Sequence, residues 1–311
     1  MKQYPHAVIG AGPAGLAVVA ALVDNGIKSI LWVDPLFNGG RLAQYSEVPS
    51  NTKARLFDAF CEKSKTLDSL HPPSRLAIQA MDRDKGCPLL YPAKLVQEFS
   101  SLLDESYGII KYKGIAHDVS NVKGGFELKL TQDPLNLETP ASQFDQATVD
   151  ITVFSQNVHM ATGSIPKTLP VTRSSISLED ALTPSVLKTL VSQSDRVLVI
   201  GNSHSGVLVL RNLYNLGIQT TCAFRSPILF AQHLDDRIQY DNTGLKGIAA
   251  HFARSTLPNC GIQMVQVASM ADIDALLPHA DHVICCTGLE RRPLPIAIDD
   301  YDPLTLSLIH I

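Results

Sequence analysis

His6-Ala-Val-Ile-Gly10-Ala-Gly12-Pro13-Ala14-Gly15 runs directly into Leu16-Ala-Val-Val-Ala-Ala-Leu-Val23. Physically this is a short apolar strand, a glycine turn and a helix. The turn matches G-x-G-x-x-G at Gly10, Gly12 and Gly15. The first glycine makes a tight turn, the second lets a diphosphate approach the backbone, and the third lets the helix pack on the strand. The helix N-terminus adds free N–H groups and a partial positive charge. A second apolar run, Ile30-Leu-Trp-Val33, ends at Asp34, 24 positions after Gly10, where an acid can take ribose hydroxyls. The apolar stretch from His6 to Val23 is glycine-interrupted and a single Lys2 precedes it without a basic cluster, so it reads as neither a signal peptide nor an anchor.

The chain has 311 residues, room for two domains, with 45% hydrophobic and 18% charged residues, as globular proteins have. A net charge of −4 disfavours nucleic acid and anionic membrane as partners. Cys61, Cys87, Cys222, Cys260, Cys285 and Cys286 form no C-x-x-C and no zinc spacing. Free thiols, no metal and a reducing, cytoplasmic location are expected.

Phe37-Asn-Gly39-Gly40-Arg41-Leu42 follows the acid, and a flexible backbone with a cation suits contact with a cofactor's phosphates or ring edge. A helix is expected over 54–65, an irregular surface segment over 68–90, and a helix from Tyr91 to about Asp104. Strands are expected at 109–113, 117–122 and 126–131, with a hairpin turn at Gly124-Gly125. Residues 133–146 read as a loop, and 149–154 with 157–160 as a strand pair. Ala161-Thr162-Gly163 then closes that region with small residues that let the backbone pass over a cofactor. Residues 166–177 read as a connection between domains.

A second unit repeats the first after about 190 residues. Arg196–Ile200 is its strand, Gly201-Asn-Ser203-His204-Ser205-Gly206 its turn, Val207–Leu216 its helix and 218–224 its second strand. Ser203 replaces the middle glycine, and its Cβ narrows the approach. Arg225 follows where an acid would repel a 2′-phosphate, which favours NADPH over NADH. His204 at the helix start is a candidate to face the nicotinamide or the diphosphate. Later elements are expected at 243–254, 262–267, 272–277 and 282–286, ending in Cys286-Thr287-Gly288, an echo of Ala161-Thr162-Gly163.

This ordered set resembles the flavoproteins with two dinucleotide-binding domains: thioredoxin reductases, flavin-containing monooxygenases and N-hydroxylating monooxygenases. The resemblance implies an α/β fold of two doubly wound Rossmann-like domains. FAD would be held by residues 1–166 and 287–311, with an NAD(P)H domain inserted at 172–286. Gly10, Gly12, Pro13, Ala14, Gly15 and Asp34 would hold FAD, with Gly40, Arg41 and Asn51 near the flavin and Thr162 and Gly163 at the exit toward the second domain. Gly201, Ser203, His204, Ser205, Gly206 and Arg225 would hold NADPH. The sequence departs from the pattern in three places. The redox C-x-x-C of disulfide reductases is absent. The F-x-G-x-x-x-H run of Baeyer–Villiger enzymes is absent from 163–200. The C-terminal Gly-Asp motif is absent as well. Leu306-Ser-Leu-Ile-His-Ile311 matches the translation of a transposon-end adapter, so a longer natural chain is expected.

The expected activity is an FAD-dependent, NADPH-consuming oxidoreductase of monooxygenase type acting on a small molecule. The alternatives are a reductase with a quinone or protein acceptor and a degenerate redox sensor. No catalytic acid or base is identified. Tyr91, His233 and Tyr240 are candidate lining residues; the oligomeric state is not readable from the sequence, a homodimer being the commonest soluble oligomer.

Overall fold

The computed structural model describes residues 1–132, 151–241, 243–292 and 296–297. The expected loop at 133–146, the start of the strand expected at 149 and the terminal hexapeptide lie outside them.

The chain opens with β1 (Lys2–Ile9), α1 (Pro13–Asp24) and β2 (Ile30–Val33). A 3-10 turn over Gly40–Tyr45 leads to β3 (Pro49–Lys53), α2 (Ala54–Glu62), α3 (Lys65–Asp68), α4 (Pro73–Gln79), β4 (Gly86–Pro88) and α5 (Leu90–Leu102). Next come β5 (Ile109–Tyr112), β6 (Ile115–Val122), β7 (Gly125–Thr131), β8 (Ile151–Met160) and β9 (Ser164–Pro166). The second half holds β10 (Ser174–Ile176), α6 (Leu178–Leu182), α7 (Pro184–Leu190), β11 (Arg196–Ile200), α8 (His204–Asn215) and β12 (Gln219–Phe224). A small hairpin, β13 (Gln232–His233) and β14 (Ile238–Gln239), precedes α9 (Gly247–Ser255), β15 (Gln263–Gln266), α10 (Met270–Leu276) and β16 (His282–Cys285). The chain then crosses back through β17 (Leu289–Arg291) to β18 (Ile296–Ala297).

The first sheet runs β18-β6-β7-β8-β1-β2-β5. Its β8-β1-β2-β5 part is parallel, while β6, β7 and β8 form an antiparallel meander. One face packs on the helices through Leu16, Val19, Trp32, Leu95 and Phe99. On the other, the meander closes over the parallel strands through Leu31, Val33, Val119, Leu128 and Leu130. Each of these large apolar side chains stabilises the fold by about 1.5–3 kcal/mol when fully buried. The second sheet, β10-β16-β11-β12-β15, is parallel throughout. Both sheets are therefore wound as the glycine turns demand: a right-handed strand–helix–strand crossover places each turn at the carboxyl ends of its strands.

Several expectations need correction. The segment 68–90 is not irregular, because α4 starts on Pro73, a residue suited to the first turn of a helix. The expected strand pair is one strand, β8, which pairs with β7 over 151–155 and with β1 over 153–160. The helix expected over 54–65 stops at Glu62, and Ser64 caps a separate turn with its side chain. The connection at 166–177 contributes an edge strand, β10, to the second sheet.

Candidate functional site

The first glycine turn follows from local geometry. Gly10 has φ +107°, and a Cβ there would lie 2.3 Å from the Ala161 carbonyl oxygen. A Cβ at Gly15 would lie 1.8 Å from the Gly10 oxygen, so only glycine lets α1 meet β1. Gly12 is different. It caps α1 with ordinary extended backbone, and the nearest atom to its absent Cβ is 4.0 Å away. No side chain caps α1, and Pro13 stands in its first turn. That leaves amide groups and open space where a diphosphate could approach. Ala14 continues the turn. Gly40 covers the same place from outside, with its absent Cβ 3.0 Å from the Gly12 Cα.

Asp34 is buried at the end of β2. Its Oδ2 accepts the Ala11 N–H at 2.8 Å, and its Oδ1 accepts the Leu36 and Phe37 N–H groups at 2.9 and 2.7 Å. The carboxylate thus shapes the turn itself, and its remaining lone pairs are what a ribose could use. The indole of Trp32 donates to the Gly10 oxygen at 3.0 Å, fixing the turn from beneath. Thr162 and Gly163 follow β8, with Gly163 at φ +73°.

Arg41 is held by protein partners. Its guanidinium donates to the Tyr45 hydroxyl and the Ser164 carbonyl at 2.9 Å each and pairs with Glu179 of α6. Asn51 is exposed on β3, beside Ser50, which faces the start of α9. Sequence reasoning missed Arg292. Its N–H donates to the Gly163 oxygen at 3.3 Å, and its guanidinium feels the charges of both Arg41 and Asp34. Desolvation, then Arg41, lowers its pKa. The available signal was the arginine pair directly after the second crossover.

The second turn repeats the first. Gly201 has φ +109°, and its Cβ would lie 2.3 Å from the Cys286 oxygen. A Cβ at Gly206 would lie 2.1 Å from the Gly201 oxygen. Ser203 caps α8 at φ −77°, ψ −166°, close to the φ −77°, ψ −174° of Gly12. Its side chain is exposed and caps nothing, so the serine does not close the turn. His204 stands where the first unit has Pro13. Its Nδ1 is buried without a partner, and burial, then Lys246, pushes its pKa down. Ser205 is half-buried behind it.

The register refines one expectation. Ile9 pairs with Val33, and Ile200 with Ala223, so Phe224 occupies the place of Asp34 and Arg225 lies one residue further on. Arg225 borders an open cleft of about 530 Å³ with Gln266, Val267, Ala268 and Asp272. Asp272 accepts the Ala268 and Ser269 N–H groups at 2.8 and 2.9 Å.

All six cysteines are free. Burial pushes the Cys61 thiol up to about 11 and the Cys222 thiol up to about 12, and raises Cys286 well above the ordinary range. These thiols stay protonated, and no dithiol chemistry is built here. Among the described residues no group of metal ligands occurs and no helix is long and apolar enough to cross a membrane. Tyr91 packs with the helical face of the first sheet, Tyr240 is exposed on the hairpin at φ +57°, and neither is brought to a glycine turn by any contact described.

Compared with known proteins, the chain is 31% identical to Monooxygenase AgnR1 of Paecilomyces divaricatus over 97% of its own length and 83% of that protein. The chain belongs to this flavoprotein monooxygenase family. No protein-family profile matches it. Among solved structures it resembles the ornithine N-hydroxylase of Kutzneria sp. 744, described with reduced FAD, NADP+ and L-ornithine. That match has a TM-score of 0.61 at 11% identity, over 93% of this chain and 81% of that one. It also resembles the bacillithiol disulfide reductase of Staphylococcus aureus, with a TM-score of 0.56 at 13% identity, over 93% and 78%. These two likenesses concern the fold.

Proposed function

We propose that this chain is an FAD-dependent, NADPH-consuming monooxygenase acting on a small organic molecule. The observation that carries the reading is the repeated turn: two open diphosphate cradles with matching backbone, one in each sheet, each braced by the small residues of a returning strand. The first, with Asp34, Thr162 and Gly163, holds FAD. The second, with Ser203, His204 and Arg225, holds NADPH. The paired connectors β9 and β17 support an NADPH domain of about 172–286 inserted between FAD-binding segments 1–166 and 287 onward.

FAD and NADPH held in these two turns would supply the redox chemistry, a hydride and the electrons for oxygen activation. The chain's own residues orient and shield. Gly12 and the α1 N-terminus take the FAD diphosphate, and Arg292 adds a cation beside it. Ser203 and the α8 N-terminus take the NADPH diphosphate, and Arg225 pairs with the 2′-phosphate in its cleft. His204, kept neutral by burial, offers a hydrogen bond to the nicotinamide half without adding charge. Protonated, buried thiols disfavour disulfide reduction, even though one structural neighbour performs it.

Gel filtration of the protein mixed with FAD and NADP+, followed by oxygen uptake on adding NADPH, tests the reading. One FAD and one NADP+ per chain with oxygen consumption are expected. FAD binding with NADPH oxidised only when a quinone or ferredoxin is added would replace the monooxygenase by a reductase.

A further inference from the structure

The segment from Gly40 to Ser50 belongs by sequence to the first unit, yet it is built into the second. At one end Gly40 lies against Gly12. At the other, Val48 is buried in the core of the second unit among side chains such as Leu182 and Val207, with Tyr45 packed beside it. Two polar ties flank this insertion. Arg41 pairs with Glu179 of α6 while donating to the Ser164 carbonyl on the connector β9, and the Arg41 and Glu179 side chains are only 20% and 21% exposed. Glu47 accepts the Ser185 N–H at 3.0 Å and the Ser185 hydroxyl, at the start of α7. One short strap therefore touches the first diphosphate cradle and grips α6 and α7, and α8 packs against α6 through the Asn212–Ala181 hydrogen bond.

We propose that Glu179 and Glu47 are positioning residues for hydride transfer. Acting through Arg41 and Ser185, they fix the orientation of the NADPH unit over the flavin. The inference rests on the two-cofactor reading above. The physical argument is geometric. Hydride transfer needs its atoms within about 3–3.5 Å and aligned, and a misplacement of about 1 Å costs on the order of a hundredfold in rate. Two sheets joined only by the paired connectors β9 and β17 would leave a hinge at that joint. The strap adds a second attachment away from it, and two attachments remove the swing that one allows. Neither glutamate belongs to a glycine turn, so the ties govern alignment and leave nucleotide affinity to the turns.

The test combines Glu179→Gln with Ser185→Ala and reads three quantities. Small-angle X-ray scattering before any cofactor is added should show a larger radius of gyration than the wild type. Calorimetry should give an NADP+ Kd within about threefold of wild type. Anaerobic stopped-flow at saturating NADPH should give a limiting flavin-reduction rate lowered at least about tenfold. Glu179→Asp, which keeps the charge, should recover much of that rate. Reduction as fast as in the wild type overturns the inference while leaving the function intact, whereas a wild type that NADPH cannot reduce overturns both. If the double variant fails to hold FAD, Glu47→Ala alone carries the test, because Glu47 is exposed and its loss removes both bonds to Ser185 while leaving the core untouched. A rate equal to wild type then overturns the proposal, and a lower one at unchanged Kd supports it.

Discussion

The two glycine turns share a backbone and differ in how each is tied to its second strand. In the first, an acid gathers amides: Asp34 accepts the N–H groups of Ala11, Leu36 and Phe37. In the second, Phe224 stands at that position, and an amide side chain reaches out instead, Asn202 Nδ2 donating to the Ser226 carbonyl at 2.9 Å. Beneath the turns the same carbonyl is held by Trp32 in one and only weakly approached by Cys222, at 3.9 Å, in the other. The difference shows how one supersecondary unit can be braced in two ways. The steric demands at the first and third glycines are unchanged. What varies is the charge at the end of the second strand: the Asp34 carboxylate in the first unit, and Arg225 one residue beyond Phe224 in the second, as the proposed FAD and NADPH sites would require.

The strongest way to break the comparison is at the third glycine. Gly15→Ala forces a Cβ against the Gly10 oxygen. The expected outcome is loss of FAD retention and a stability loss of about 3 kcal/mol, read by urea denaturation. Gly206→Ala should instead abolish NADP+ binding and leave FAD in place. If it also releases FAD, the turns are not independent nucleotide sites.

The middle position separates sterics from ligand approach. Gly12 has extended backbone and open space, so Gly12→Ser should fold with a Tm within about 2 °C of wild type. Its FAD affinity should fall about tenfold to a hundredfold, on the order of 1.4–2.8 kcal/mol. The reverse change, Ser203→Gly, should raise NADP+ affinity by about tenfold, since the two positions share a backbone and the serine Cβ narrows the approach.

At the ribose, Arg225→Glu should lower kcat/KM for NADPH by about thirtyfold, the worth of a hydrogen bond to a charged group at about 2 kcal/mol, and leave NADH turnover nearly unchanged. Equal losses for both coenzymes would move the 2′-phosphate away from the Arg225 cleft.

The smallest effect concerns His204, whose burial lowers its pKa. The unfolded chain takes up this proton before the folded one does. Stability from the neutral imidazole is complete above the ordinary histidine pKa of about 6.5 and is lost as pH falls below it. His117 and His159 are shifted the same way by burial. Urea midpoints should therefore drop between about pH 6.5 and 5, and His204→Gln should flatten part of that slope.

Much of this was legible from sequence, and the pattern of success is physical. β1, α1, β2, β11 and α8 announce themselves because glycines at fixed offsets and apolar periodicity are local signals. α4 was hidden because Pro72-Pro73 reads as a breaker, although Pro73 starts the helix. β8 read as two strands because Gln156 and Asn157 resemble a turn. In the fold they mark the point where pairing with β7 ends while that with β1 continues, and Asn157 donates to the Pro5 carbonyl. Spacing alone picks out the glycines of the two turns, and at Gly10, Gly15, Gly201 and Gly206 the fold leaves no room for a Cβ. The pairing of Arg41 with Glu179 has no signal in the sequence, because Glu179 lies far along the chain and no periodicity connects them. Arg292 was missed for the same reason: its neighbours Asp34 and Gly163 come to it only through the pairing of β17 with β9.

The central claim is that the two turns hold two cofactors that exchange a hydride. Anaerobic stopped-flow mixing of FAD-loaded protein with NADPH, followed in the visible flavin band, tests it most directly. Bleaching at a rate that saturates with NADPH is expected, with recovery of the band when air is admitted. A flavin band that stays unchanged while calorimetry shows NADP+ bound to the same protein would contradict it.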